Sequence, residues 1–277
     1  MTYESLWRRL SRQYEADEAK AIVRWVLDVR FGLSWADIIC EKTDQLALDD
    51  QQELETIMQR LKSGEPVQYI MGIADFCGRQ FHVEPGVLIP RPETAELCAM
   101  ILSRPSAGKH ILDIGTGSGC IAITLALDIP GAHVAAWDIS DDALRVARAN
   151  AEVLGASVTF EHRDALDSSL ITLPRWDLIV SNPPYIQPKE RDEMAKNVLC
   201  HEPGIALFAP EDNPIVFYQR IADYAWQSLN AGGELYFELN PLTAADVSNH
   251  LRHLGFAEIE ISHDQYGKQR FLKAKKI

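Results

Sequence analysis

The run Trp176 to Ser181 ends in Asn182-Pro183-Pro184-Tyr185: a side-chain amide, two residues without a backbone N–H, and an aromatic ring. Such a set can hold a planar nitrogen. The Asn182 side-chain oxygen and the Pro183 carbonyl can each accept one N–H of an amide or aromatic amino group, orienting the nitrogen and letting it pyramidalise as charge develops. Proline adds no competing N–H, and its fixed φ sets the direction of that carbonyl. Tyr185 can stack on the planar group and stabilise positive charge beside it by about 0.5–2 kcal/mol. Asn182, Pro183 and Tyr185 are the candidate catalytic residues, and all four residues from Asn182 to Tyr185 the candidate substrate contacts. The plain alternative is punctuation, since prolines stop strands.

A second cluster, Gly115-Thr116-Gly117-Ser118-Gly119, directly follows the apolar run His110 to Ile114. Glycines there let the backbone turn tightly and approach a ligand, with the N–H groups of a following helix free to face it. Read from Gly117, the string GSGCIA also satisfies the dinucleotide pattern GxGxxA, which keeps a nicotinamide enzyme in view. Against that, the turn begins at Gly115, and no hydride-transfer site is recognisable. Asp138 closes the next apolar run, where a carboxylate can accept both hydroxyls of a ribose. A helix cap is the alternative role, but Ser140 and Asp141 can fill it. Asp164, after the third run, could accept from an adenine amino group or could be a loop carboxylate on the surface.

These residues need a scaffold that brings them together. From residue 110 onward, apolar runs alternate with helical stretches: "HILDI" (110 to 114), a helix from about 118, "HVAAWD" (133 to 138), a helix after Ser140, "SVTFEH" (157 to 162) and "WDLIVS" (176 to 181). That rhythm predicts an α/β, Rossmann-like, mostly parallel sheet with helices on both faces. "GGELYFEL", a helix ending near Gly255, and "FAEIEIS" with "QRFLKAK" follow, the last two pairing as an antiparallel edge hairpin. In a doubly wound sheet "HILDI" and "WDLIVS" are neighbours, and ligands sit at their carboxyl ends. The glycine loop and Asn182 to Tyr185 should face each other there.

Residues 1–75 predict a small helical bundle with the start of a hairpin linker, and residues 76–277 the catalytic domain. Leu54, Ile57, Met58 and Leu61 form a helical stripe after Asp49-Asp50, a candidate N-cap pair, and Ser34 with Asp37 marks another helix start. The stretch from "GEPVQYIMG" to "LIPRPET" reads as short β-like pieces broken by Gly and Pro.

Composition narrows the class. With 277 residues, 47% of them hydrophobic, the chain can bury a full core. Five scattered cysteines, never spaced as CxxC, argue against a disulfide framework or a zinc site and fit a reducing cytoplasm. No signal peptide or membrane-length apolar run is present. A net charge of -13 disfavours a generic grip on nucleic-acid phosphates.

With Asp113 before it, the glycine loop resembles the first motif of S-adenosylmethionine-dependent methyltransferases. NPPY is similar to motif IV of N-methyltransferases that act on planar nitrogens of adenine, cytosine, guanine or glutamine. Together with "GEPVQYIMG", "LIPRPET", "LDIGTGSGC", "SNPPYI", "HEPGIALFA" and "DQYGKQR", they make the chain resemble, nearly throughout, the peptide chain release factor glutamine methyltransferases of the HemK/PrmC type. The resemblance implies methyl transfer from S-adenosylmethionine to the side-chain nitrogen of the glutamine in a release factor's Gly-Gly-Gln tripeptide. Gly115, Thr116, Gly117, Ser118, Gly119, Asp138, Asp164 and Asn182 would then bind cofactor, and the helical domain would recognise the release factor. Ala165 stands where relatives often carry an aromatic residue. The competing reading is a nucleic-acid N-methyltransferase using the same clamp on a flipped base, which predicts a basic surface. A dehydrogenase and an inactive binding module stand further off.

Overall fold

The computed structural model describes residues 1–104, 108–167 and 175–277. They form two compact units, Met1–Ile73 with Ala195–His201, and Ala74–Met194 with Glu202–Ile277. Among the described residues no helix is long and apolar enough to cross a membrane.

The first unit is helical. Val23, Val26 and Leu27 of the helix Ala16–Phe31 share one buried core with Leu54, Met58 and Leu61 of the helix Leu48–Lys62, the last three from the stripe expected at helical spacing. Ser34 and Asp37 form a capping box at the helix Trp35–Ile39. Asp49 and Asp50 lie one step inside their helix, whose N-cap is Ala47; they complement the positive end of the dipole rather than capping it. The "VQYIM" stretch is a short helix, Val67–Met71, closed by Gly72 at φ 72°, not a β-like piece. Its five residues are too few to show helical periodicity. The hairpin follows it, β1 (Ile73–Phe76) pairing with β2 (Arg79–His82).

The second unit is built on a seven-stranded sheet. Its strands are β3 (His110–Ile114), β4 (His133–Asp138), β5 (Val158–His162), β6 (Trp176–Ser181), β7 (Leu229–Glu238), β8 (Ala257–His263) and β9 (Gln269–Lys275), in the order β5-β4-β3-β6-β7-β9-β8. The first five in that order run parallel, and β9 is antiparallel to both neighbours. The closing hairpin thus inserts its last strand inward and leaves β8 at the edge. Period-two alternation splits the core between the two faces. Leu112, Ile114, Ile179 and Phe237 pack with Tyr218 and Ile221 of the helix Val216–Ser228. Ile111, Leu178, Val180 and Tyr236 pack with Ile121 and Ile123 of the helix Cys120–Asp128.

Register positions the chemistry. Ile114 is paired with Trp137 on one side and Ser181 on the other, so the residues leaving β3, β4 and β6 emerge side by side. Gly115, Asp138 and Asn182 are the next residues on these three strands, or the last.

Candidate active site

The turn after β3 is held by β4: the N–H groups of Gly115 and Thr116 both donate to the Trp137 carbonyl, at 2.8 and 3.0 Å. Gly115, Gly117 and Gly119 have φ of 77°, 56° and 83°, a region that strains any residue with a Cβ. A Cβ on Gly115 or Gly117 would meet nothing within 4 Å, whereas one on Gly119 would come within 2.8 Å of Ile123 Cδ1 and 3.1 Å of Ala147 Cβ. The first two glycines leave room for a ligand; the third lets two helices pack.

Beneath the loop, Asp113 is fully buried and accepts from Thr116 Oγ1 at 2.6 Å and the Ala122 N–H at 3.2 Å. Burial pushes its carboxyl up to about 7. Asn150 fastens the loop from behind, donating to the carbonyls of Ser118 and His82 while its oxygen accepts the His82 N–H. Asp138 joins loop to strand end: Oδ2 accepts the Gly117 N–H at 2.8 Å and Oδ1 the Ser140 N–H at 2.9 Å. Burial raises its carboxyl, and these N–H bonds oppose that shift. The helix after it is capped by Ser140, which leaves Asp138 free of that task. Asp164 Oδ1 accepts the Leu166 N–H, holding the turn after β5.

At the end of β6, Ser181 Oγ donates to the Ile114 carbonyl at 2.6 Å and ties β6 to β3. Asn182 Nδ2 donates to Thr94 Oγ1 at 3.1 Å, and Thr94 Oγ1 donates to Glu238 Oε2 at 2.7 Å. The other Glu238 oxygen accepts the Tyr185 hydroxyl at 2.9 Å. Burial pushes Glu238 up, while the Thr94 and Tyr185 hydroxyls and Arg270 pull it down.

These elements surround a cavity of about 360 Å³, of the size that takes a nucleoside-sized ligand. Its wall includes Gly115, Thr116, Gly117, Ser118, Asp138 and Asp164. Asn182, Pro183 and Pro184 belong to the same wall. Gly119 lies behind it, as a packing glycine. Tyr185 also lies behind it: its ring packs against the core face, with the Arg270 guanidinium 5.8 Å from its centre, and its hydroxyl is taken by Glu238. The Tyr185 ring is thus half-buried and is not part of the cavity wall. Ala165 lines the cavity with no ring, beside Leu166 and Ile139.

Sequence reading passed over several residues that shape this site. Arg91, on the cavity wall, is ion-paired with Glu202, whose buried carboxylate also accepts the Ile89 N–H at 3.2 Å. That pair ties the segments "LIPRPET" and "HEPGIALFA". Thr94 and Glu238 carried no local signal at all.

The cavity suits an adenosyl cofactor: two glycines whose missing Cβ atoms open onto it, a carboxylate at the β4 end able to take further hydrogen bonds, and apolar side chains around them. Residues 93–208 match the methyltransferase small domain model, and residues 6–72 the PrmC N-terminal domain model. A release factor glutamine methyltransferase of Bacteroides thetaiotaomicron is 45% identical over 94% of this chain and 94% of its own. The chain belongs to the release factor glutamine methyltransferase family. A second member, from Flavobacterium psychrophilum, is 38% identical, covering 95% of this chain and 94% of that protein. Among solved structures, a 16S rRNA N2 G1207 methyltransferase of Thermus thermophilus, in complex with AdoMet and guanosine, superposes with a TM-score of 0.55. It is 22% identical and covers 74% of this chain and 50% of that one, which shows the shared methyltransferase fold.

Proposed function

We propose that this member of the family transfers the methyl group of S-adenosylmethionine to the side-chain amide nitrogen of a glutamine in a peptide chain release factor, that of its Gly-Gly-Gln tripeptide. The observation that carries the reading is the Asn182 amide: Nδ2 donates to Thr94, which fixes the plane of the amide at the cavity wall, and Oδ1, its one acceptor atom, is assigned to receive an acceptor N–H. The Pro183 carbonyl takes the second N–H of the same amide. Both hold a poor, delocalised nucleophile in line, and such positioning contributes roughly 7–11 kcal/mol to lowering a barrier. The cofactor supplies an activated sulfonium methyl. Gly115 to Ser118 bring backbone close to it, Asp138 accepts from its ribose hydroxyls, and Asp164 accepts from its adenine amino group. Gly119 serves from behind through packing, and Tyr185 serves by holding the end of the clamp.

The helical unit is assigned to gripping the release factor away from the glutamine loop. A tripeptide offers too little surface for specificity, since stable recognition buries roughly 1,200–2,000 Å² in all. Trp35, Ile39 and Leu48 of this unit are exposed and apolar. The nucleobase reading is not favoured, because net charge is -13 and the relatives are named for release factors. The deciding experiment gives the full chain labelled S-adenosylmethionine with intact release factor, ribosomal RNA or DNA. Label on the release factor alone supports the proposal; label on a nucleic acid replaces it.

A further inference from the structure

We propose that Glu238, acting through Thr94, is a positioning residue that decides which atom of the Asn182 amide faces the acceptor. The inference rests on the assignment of Asn182 to the acceptor clamp and deepens it. An amide can present either an oxygen that accepts or an NH2 that donates, and the two orientations have nearly the same shape. Only the first can receive the N–H groups of a glutamine side chain. Something must therefore fix the orientation before the acceptor arrives.

The hydrogen-bond chain does this by direction. Glu238 is 1% exposed and sits at the last position of β7, between the two ends of the NPPY segment. As a carboxylate it can only accept. It accepts from Thr94 Oγ1 at 2.7 Å on one oxygen and from the Tyr185 hydroxyl at 2.9 Å on the other. Thr94 has one hydroxyl hydrogen, and that hydrogen points to Glu238. Its oxygen can then only accept from Asn182, at 3.1 Å, so Nδ2 must turn inward and Oδ1 outward. With the carboxylate gone, the Thr94 hydrogen is free to point at Asn182. The amide can then rotate half a turn and set a donor against the donor of the substrate.

The rest of the surroundings favour the arrangement. Arg270 Nη1 lies 3.4 Å from the Tyr185 oxygen and 3.2 Å from the Leu239 carbonyl, while its Nε is paired with Asp264 at 3.2 Å. That guanidinium supplies positive charge near a carboxylate with no solvent. Its approach to the phenol oxygen also steers the Tyr185 hydrogen toward Glu238. One buried carboxylate thus fixes Asn182 at one end of NPPY and Tyr185 at the other, four residues joined to a strand end far away in sequence.

The test compares Glu238→Ala, Thr94→Val, Thr94→Ser and Asn182→Ala in the full chain, with intact release factor. The expected result is a loss of roughly 100-fold in single-turnover rate for Glu238→Ala and Thr94→Val, as misplacement of a reacting group by a remote change can cause. The dissociation constant for S-adenosylmethionine and the KM for release factor should stay unchanged, and Thr94→Ser, which keeps the hydroxyl, should retain the rate. A merely structural role would move binding together with turnover. If Glu238→Ala fails to fold, the Thr94 pair decides alone. Wild-type turnover in a folded Thr94→Val overturns the relay, as does equal loss in Thr94→Ser. If Asn182→Ala itself turns over normally, the clamp assignment fails instead; if it is inactive while Thr94→Val is not, only the relay is wrong.

Discussion

The Gly117 N–H donates to the Asp138 carboxylate at 2.8 Å, so the glycine loop after β3 and the end of β4 are a single element. Asp138 consequently has two tasks, holding the loop in shape and offering its remaining lone pairs to the cavity. Its removal should be felt in cofactor binding more than in folding.

Asp138→Ala should raise the dissociation constant for S-adenosylmethionine by at least about 10-fold, since a hydrogen bond to a charged group contributes roughly 1.5–3 kcal/mol. Calorimetry on the folded variant reads this directly. Unchanged affinity would take Asp138 out of the cofactor site.

The three loop glycines should separate by experiment. Gly117→Ala places a methyl in open space at φ 56°, so it should cost about 1–2 kcal/mol of stability and weaken cofactor binding. Gly119→Ala drives its methyl to within 2.8 Å of Ile123 at φ 83°, so its main effect should be on the melting temperature. Equal thermal losses in both variants would contradict the division between a ligand-facing and a packing glycine.

Asp113 should leave a signature in stability against pH. Its carboxyl is raised in the fold from 3.8 to about 7, so the native state holds a proton that the unfolded chain releases above 3.8. Its stabilising effect is complete below 3.8 and is lost as pH rises through about 7. Asp113→Asn removes the titration, and its urea midpoint should decline less between pH 5 and pH 8 than that of the wild type. Parallel pH profiles for the two proteins would show that Asp113 does not titrate in this window.

In the helical unit, Trp35→Ala with Ile39→Ala should raise KM for intact release factor while leaving the affinity for S-adenosylmethionine unchanged. Trp35 is an exposed aromatic, edge-on to Tyr3 and with Arg24 4.8 Å from its ring centre, the composition that dominates protein interfaces. Steady-state methylation at varied release factor measures it. An unchanged KM would move recognition away from this face.

The sheet could be read before the structure because its central strands β3, β4 and β6 are buried on both faces, which makes them near-continuous apolar runs, and because glycine, Asp138 and NPPY mark the ends where ligands bind. What sequence could not supply is contact between distant residues. Thr94 meets Glu238 across 144 positions and Asn182 across 88, so neither looked chemical within its own segment. Tyr185 was legible as an aromatic beside the acceptor, but its partner on β7 turns the phenol inward. Gly119 shared the pattern of its neighbours, and only the packing of the helices Cys120–Asp128 and Asp141–Leu154 separates its task from theirs. The β-like reading of "VQYIM" failed because a five-residue helix is set by its neighbours rather than by its own periodicity.

Asn182→Ala should preserve the fold while lowering methyl transfer at saturating cofactor by roughly 100- to 1,000-fold, the loss that follows removal of one oriented hydrogen-bonding group from a reacting centre. Single-turnover rates at saturating cofactor isolate that step. A folded variant with most of the wild-type rate would return NPPY to the status of strand punctuation.

Fragment mass spectrometry of intact release factor, after incubation with the full chain and S-adenosylmethionine, tests the assigned reaction most directly. One methyl should appear on the side-chain nitrogen of the Gly-Gly-Gln glutamine, and none should appear when Asn182→Ala replaces the wild type over the same interval. A methyl on any other residue, or an unmodified glutamine beside a labelled nucleobase, would contradict it.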